Sequence, residues 1–415
     1  MLKHIIIAVF IVITGATTFA QEGTSSPYSY YGIGLPKFKG TAENRSMGGI
    51  SILSDSIHLN LQNPASIADL RLVNFTVGAS HKSFTQETSS DSQKTSATTL
   101  DYLAVGVPLS PKFGGSFGLI PYSSVGYSVL NENSEGFSTF EGEGGLNKAF
   151  INLGYKITPE LSVGIDANYN FGKIENDSFT RINDAEFGTR ESNRSDLLGF
   201  SYNFGAQYKT MVSENLQLST SLSYTPETSF TSENSREIAA IVITGTGQIA
   251  EADVRNVPVD DTEFTFPSQY TIGVGIGKPK SWFAGLEYQD QKTSNFTNRA
   301  LDIDDVSFND ATKIRLGGYY IPNYNSFGNY AKRIVYRGGF RMEETGITVR
   351  GEEINEFGIS FGVGLPVGRL FSNANLGFEY GQRGTTNSGL VQENFFNVFL
   401  SLSLNDKWFE KRYID

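Results

Sequence analysis

Leu161-Ser162-Val163-Gly164-Ile165-Asp166-Ala167-Asn168-Tyr169-Asn170-Phe171 carries an apolar side chain at every odd position and a small or polar one at every even position. Successive side chains of a strand point to opposite faces, so this segment has one apolar face and one polar face. The same order returns at Leu198, Phe200, Tyr202, Phe204, Ala206 and Tyr208, interleaved with Gly199, Ser201, Asn203, Gly205 and Gln207. It returns again around Leu216, Tyr270, Phe357 and Phe396. Alternation alone also fits a soluble β-sandwich. Three further features favour a membrane. The segments run about 11–15 residues, against about 5–6 for a soluble strand. Their polar faces are glycine, serine, asparagine and glutamine rather than lysine and glutamate. Aromatic residues, among them Tyr169, Phe171, Tyr208, Tyr224, Trp282, Tyr288, Tyr320 and Tyr380, gather toward the ends of the apolar faces, as in aromatic girdles. The expected fold is all-β, a transmembrane antiparallel β-barrel, because lipid leaves no open sheet edge unsatisfied.

Connection lengths supply a strand count. Short links fall at 110–112, 158–159, 212–213 and 279–280, and long ones at 130–145, 175–195, 229–267 and 294–310. Long outer loops alternating with short inner turns give about 14 strands over 73–415, with both termini inside. Residues 229–267 form the longest loop; a further strand pair near 237–247 would raise the count to sixteen.

Composition agrees. The chain has 415 residues, 44 glycines, 31 Phe, 20 Tyr and no cysteine. The absence of cysteine excludes disulfides, thiolate zinc sites and thiol catalysis. Thirty-three basic residues against 44 acidic ones give a net charge of -11, which argues against nucleic acid as a partner. A mean hydropathy of -0.23 excludes a bundle of membrane helices. Residues 1–20 read as a signal peptide: Lys3, an apolar run from Ile5 to Ile13, then Thr18-Phe19-Ala20. The expected location is the outer membrane of a diderm bacterium.

Residues 21–72 do not alternate. A barrel this wide needs filling or stays wet, so this segment is expected to be a hatch, or plug, in the lumen. Its order Arg45, Gly48-Gly49, Asp55, Asn63-Pro64-Ala65 and Leu70 before the first strand resembles the hatch of the FadL-type family, transporters of long-chain fatty acids and hydrocarbons. Phe266-Pro267-Ser268-Gln269-Tyr270, Trp282, Glu287-Tyr288 and Lys313-Ile314-Arg315-Leu316-Gly317-Gly318 resemble later strands of that family. The opening Ser26-Pro27-Tyr28-Ser29-Tyr30-Tyr31-Gly32-Ile33-Gly34 resembles a divergent branch, which includes partner barrels of secretion and assembly machines. The resemblance implies passive transport of small hydrophobic molecules; the alternative is a non-transporting accessory or scaffold barrel with outer-membrane protein partners. The hatch motif is Arg45, Gly48, Gly49, Asn63, Pro64 and Ala65.

For transport, Ile33, Leu35, Met47, Ile50 and Ile67 are the candidate ligand pocket, and Pro108 or Pro121 marks a place where the wall ladder can part. For a scaffold, the acidic 229–267 loop and the tail from Lys407 to Tyr413 are the contacts. Asp166, Lys209, Glu287, Arg315, Arg341 and Glu379 fall on the small-residue face and are expected in the lumen, paired with hatch charges such as Arg45 and Asp69. Two Gly-x-Ser-x-Gly matches, at 114–118 and 358–362, sit inside alternating strands rather than at the strand-to-helix turn a hydrolase needs. No enzyme, cofactor or metal is expected: His58 and His81 have no ligand cluster, and the acidic run 302–305 lacks the glycine and glutamate of a calcium loop.

Overall fold

The computed structural model describes residues 23–243, 249–295, 306–326, 328–367 and 372–407. The expected signal peptide, the acidic run 302–305 and the tail beyond Lys407 lie outside them. The wall begins with β1 (Val73–Glu87), β2 (Ser92–Ser110) and β3 (Phe113–Pro121, continued by Ser123–Asn133). It continues with β4 (Gly136–Lys156), β5 (Leu161–Ile182), β6 (Gly188–Ser213) and β7 (Leu216–Thr225, continued by Thr228–Ile243). Next come β8 (Thr262–Phe266, continued by Gln269–Lys278), β9 (Trp282–Gln291), β10 (Ala311–Tyr320) and β11 (Val335–Val349). The last three are β12 (Glu352–Val367), β13 (Ser372–Arg383) and β14 (Gln392–Asp406). Neighbours in the chain pair antiparallel, and β1 pairs with β14 from Val73↔Asp406 to Glu87↔Gln392, which closes a 14-strand barrel.

The period-two pattern sorts as lipid requires. Ile151, Phe200 and Phe361 point outward at 61–63% exposure, while Asn170 and Asn397 on the opposite face are 0% exposed. Trp282, Tyr320 and Tyr336 form one outward row across β9, β10 and β11 near the short turns. No helix among the described residues is long and apolar enough to cross a membrane.

The outer connections differ from expectation. Most of 130–145 and 175–195 is strand, because β4, β5 and β6 run 21, 22 and 26 residues. Above the membrane the outward face meets water while the inward face stays buried, as at Ile174, Leu197 and Phe230, so the apolar-outward pattern stops although the hydrogen-bond ladder continues. Residues 229–267 are likewise ladder rather than loop: β7 pairs with β6 and β8, and Ile249–Val257 folds back on Arg236–Ile243 as an outer hairpin. That hairpin adds nothing to the wall, so the count stays at 14 rather than sixteen.

Pro121 marks a break in the wall. The β2–β3 ladder ends at Leu103↔Leu119, two residues before Pro121, and beyond it β3 pairs with β4 on one side only. The other edge of β3 is taken by Leu35–Pro36, paired as Leu35↔Ser124 and Pro36↔Ser123.

Candidate functional site

Residues 23–72 pack against the inward faces of the wall along two rows. The first row is Gly114, Gly154, Gly164 and Gly205, which stand side by side on β3, β4, β5 and β6. A β-carbon at Gly164 would lie 2.4 Å from Pro64 O, and one at Gly205 would lie 2.3 Å from Asn63 Oδ1. Four adjacent glycines therefore make a trough that receives Asn63-Pro64-Ala65, with Ile67 against Gly114 and Gly154. Pro64 opens a short 3-10 helix, Pro64–Asp69, and Asn63 caps it by accepting Ala65 N–H at 3.0 Å. Asn63 Nδ2 donates to Ala206 O at 3.3 Å, tying the cap to β6.

The second row is Gly285, Gly317, Gly339, Ser360 and Glu379, again in register across β9 to β13. The short helix Ala42–Arg45 ends in Met47-Gly48-Gly49, where Gly48 (φ +68°) and Gly49 (φ +88°) turn the backbone onto this row. A β-carbon at Gly317 would lie 1.9 Å from Met47 O, and Gly48 N donates to Ser360 Oγ at 3.0 Å. Ser360 is the serine of the second Gly-x-Ser-x-Gly match, and its hydroxyl holds the segment's backbone.

Charges complete both rows. Arg45 Nε lies 3.0 Å from Glu379 Oε2, and Arg341 Nε reaches Glu379 Oε1 at 2.7 Å. Glu287 accepts Ser51 N–H at 2.7 Å and its hydroxyl at 2.6 Å, and pairs with Arg315 at 2.6 Å. Lys209 donates to Ser54 O at 2.7 Å and pairs with Asp69, which Lys156 also reaches. Burial by itself would raise the Asp69 carboxyl, but Lys209 and Lys156 together hold it below the ordinary carboxylate range. Asp55 is half exposed, and the His58 ring 2.6 Å away together with the Ile57 and His58 N–H groups keeps its carboxyl down at about 2. Five of the six wall charges thus sit within the network around residues 23–72. Asp166 differs: its partner is Lys148 on the wall, at 3.7 Å.

The five apolar candidates do not converge. Ile33 packs with Phe230 and Phe264, Leu35 with Tyr28 and Ile354, Met47 and Ile50 with Phe283, and Ile67 with Leu70 and Phe150. Only Ile33 and Leu35 touch the cavity of about 280 Å³ between the segment and the wall. Its lining is mixed: aromatic and aliphatic side chains such as Phe38, Phe84, Tyr122 and Phe266 stand beside charged ones, among them Lys37, Lys39, Lys82, Lys313, Glu356 and Arg383, which sequence reasoning did not single out. Parity along each strand would have found the wall members: Ile359 and Phe357 face out, so Glu356 faces in.

The acidic outer residues are engaged locally. Glu251 pairs with Arg190, Asp253 with Arg255, and Asp261 accepts Asn234 N–H. His81 lies exposed on β1 beside Thr98, and no group of three metal-binding side chains occurs among the described residues.

A closed 14-strand wall with its N-terminal segment docked inside defines the FadL type of transmembrane barrel. The P. putida toluene transporter TodX has this fold at a TM-score of 0.59 and 14% identity, over 89% of this chain and 100% of that one. The Ralstonia pickettii toluene transporter TbuX gives 0.57 and 14%, over 89% and 99%. A Pseudomonas aeruginosa FadL homologue gives 0.56 and 10%, over 90% and 98%. No curated protein matches the chain in sequence. The profile of the family described as BamG matches residues 1–415, and the chain belongs to that family.

Proposed function

We propose that this chain is a sealed accessory barrel of an outer-membrane assembly complex, whose residues 21–72 are a fixed plug rather than a moving hatch. The observation that carries this reading is the double docking of the plug. Asn63-Pro64-Ala65 is set in the glycine trough on one wall, and Met47-Gly48 is clamped by Gly317, Ser360 and the Arg45–Glu379 pair on the other. Removing one partner of a buried pair leaves an uncompensated charge at a cost of about 3–5 kcal/mol, so several such pairs oppose opening. The cavity beside the plug carries charged side chains among its apolar ones, so an apolar solute entering it would gain about 25 cal/mol per Å² from the apolar part only and would have to desolvate the charges. The name of the matching family, BamG, hints at an assembly-related role. The sheet that β4, β5, β6 and the outer hairpin raise above the membrane is the surface offered to partners.

One observation favours transport of a hydrophobic molecule instead: the ladder between β2 and β3 stops at Leu103↔Leu119 beside Pro121. In the sealed reading, Leu35–Pro36 occupies that break permanently. Affinity purification of the full chain through a C-terminal tag, in mild detergent, separates the two. A stoichiometric outer-membrane protein complex, with hydrophobic-solute uptake unchanged in a depletion strain, supports the proposal. A solitary barrel whose depletion slows that uptake overturns it.

A further inference from the structure

The cavity between plug and wall has an electrostatic surplus. Its lining holds nine basic side chains and four acidic ones. Three more carboxylates stand behind the lining: Asp166 on Lys148, Glu287 on Arg315 and Glu393 on Arg383. Seven acids thus face nine cations. Among the described residues, Lys37, Lys39 and Lys82 have no carboxylate oxygen within 4.0 Å. Lys37 Nζ donates to Gly23 O, Lys39 Nζ to Tyr122 Oη at 3.0 Å, and Lys82 Nζ lies over the Phe395 ring. All three rest on neutral partners.

Lys39 is where the surplus is most concentrated. Lys148, Lys313 and Arg315 are close enough to repel it, and each of those three already uses a carboxylate: Asp166, Glu343 and Glu287. Four cations therefore crowd one corner with three acids, in surroundings where an uncompensated charge is expensive. Burial lowers Lys39 to about 8, and Lys37 likewise. A multiply charged anion would remove that imbalance. The lining also holds the polar side chains of Asn168, Ser201 and Gln289, and Lys39 Nζ lies 4.2 Å from the Tyr122 ring, which packs against Phe266.

The geometry points to a binding site for a phosphate-class oxyanion in this cavity, centred on Lys39 with Lys148 and Lys313 converging from the wall. Free phosphate and the phosphate head of a lipid share the required chemistry. Lysine suits it because an ammonium donates three hydrogen bonds and acts as a point charge toward phosphate oxygens.

The test uses the full chain in detergent at constant ionic strength, with inorganic phosphate, pyrophosphate, dodecyl phosphate and laurate as probes and chloride as the reference. Binding is read by calorimetry and by the rise in Tm that ligand linkage requires. The expected result is binding of pyrophosphate, weakened at least about tenfold by Lys39→Gln and kept within about threefold by Lys39→Arg. Dodecyl phosphate binding much tighter than inorganic phosphate identifies a lipid head as the source, and equal binding identifies a free anion. Should Lys39→Gln fail to fold, a wild-type 31P titration against chloride decides. No phosphate binding above chloride, undiminished binding to a folded Lys39→Gln, or laurate binding as tightly as dodecyl phosphate would each overturn the proposal.

Discussion

Arg45 and Glu379 stand 334 positions apart in sequence, yet Nε of one lies 3.0 Å from Oε2 of the other, inside the barrel. The bond joins the end of a four-residue helix to the middle of β13, and Arg341 holds the second carboxylate oxygen. Arg45→Met therefore leaves Glu379 with one cation instead of two. The expected loss of stability is about 3 kcal/mol, because the remaining carboxylate is buried. Thermal unfolding of the purified barrel measures it, and Glu379→Gln should cost as much.

The glycine rows make a steric prediction. Gly317→Ala places a methyl 1.9 Å from Met47 O, and Gly164→Ala places one 2.4 Å from Pro64 O. Both contacts are with backbone, so the plug must shift, at about 1–3 kcal/mol. Limited proteolysis should cut residues 23–72 faster in either variant while the wall still runs as a folded, heat-modifiable band. Equal protection in variant and wild type would mean that the rows do not hold the plug.

Asp69 predicts an acid limb. Its folded carboxyl lies below the unfolded value of 3.8, so its contribution is present above that pH and is lost as pH falls below it. Asp69→Asn removes this dependence and leaves Lys156 and Lys209 without their shared acid. Wild-type stability should fall toward pH 2 more steeply than that of the variant, which starts lower at pH 7. Denaturant midpoints across pH 2 to 7 check both.

Lys37 and Lys39 predict the opposite limb in phosphate-free buffer. Burial lowers each to about 8 from 10.5, so between those values the unfolded chain binds more protons. Stability should rise as pH increases from about 8 to 10.5, since a charge that folding penalises is being removed. Around Lys39 the charged groups are Arg315, Asp166, Glu343, Lys148 and Lys313, with Tyr122 beside it. Lys37→Gln/Lys39→Gln should flatten that rise.

Much of the fold was legible because lipid enforces parity. In 161–171 the odd residues face lipid and the even ones the lumen, so one rule yields the barrel and its inward charges. The same rule fails above the membrane, where Lys173, Glu175 and Asp177 continue the outward face of β5 into water while Ile174 on the inward face is buried against Leu146 and Leu197. The docking rows were illegible for another reason. Gly164 looks like any of 44 glycines until strand register sets it between Gly154 and Gly205. Register is a relation between strands, and neither strand carries it alone. The apolar candidates illustrate the converse: Ile33, Met47 and Ile67 are buried, but against different parts of the wall.

A sealed barrel requires that the plug does not move. Leu35 and Ser124 are paired Cα partners on adjacent antiparallel strands, at a separation a disulfide can span, and the natural chain has no cysteine to interfere. Leu35→Cys/Ser124→Cys, oxidised in cells, locks Leu35–Pro36 into the break between β2 and β3. The decisive measurement is growth, partner recovery and hydrophobic-solute uptake with the bond formed and after its reduction. A sealed accessory barrel predicts that all three are the same in both states; an uptake that stops on oxidation and returns on reduction would contradict it.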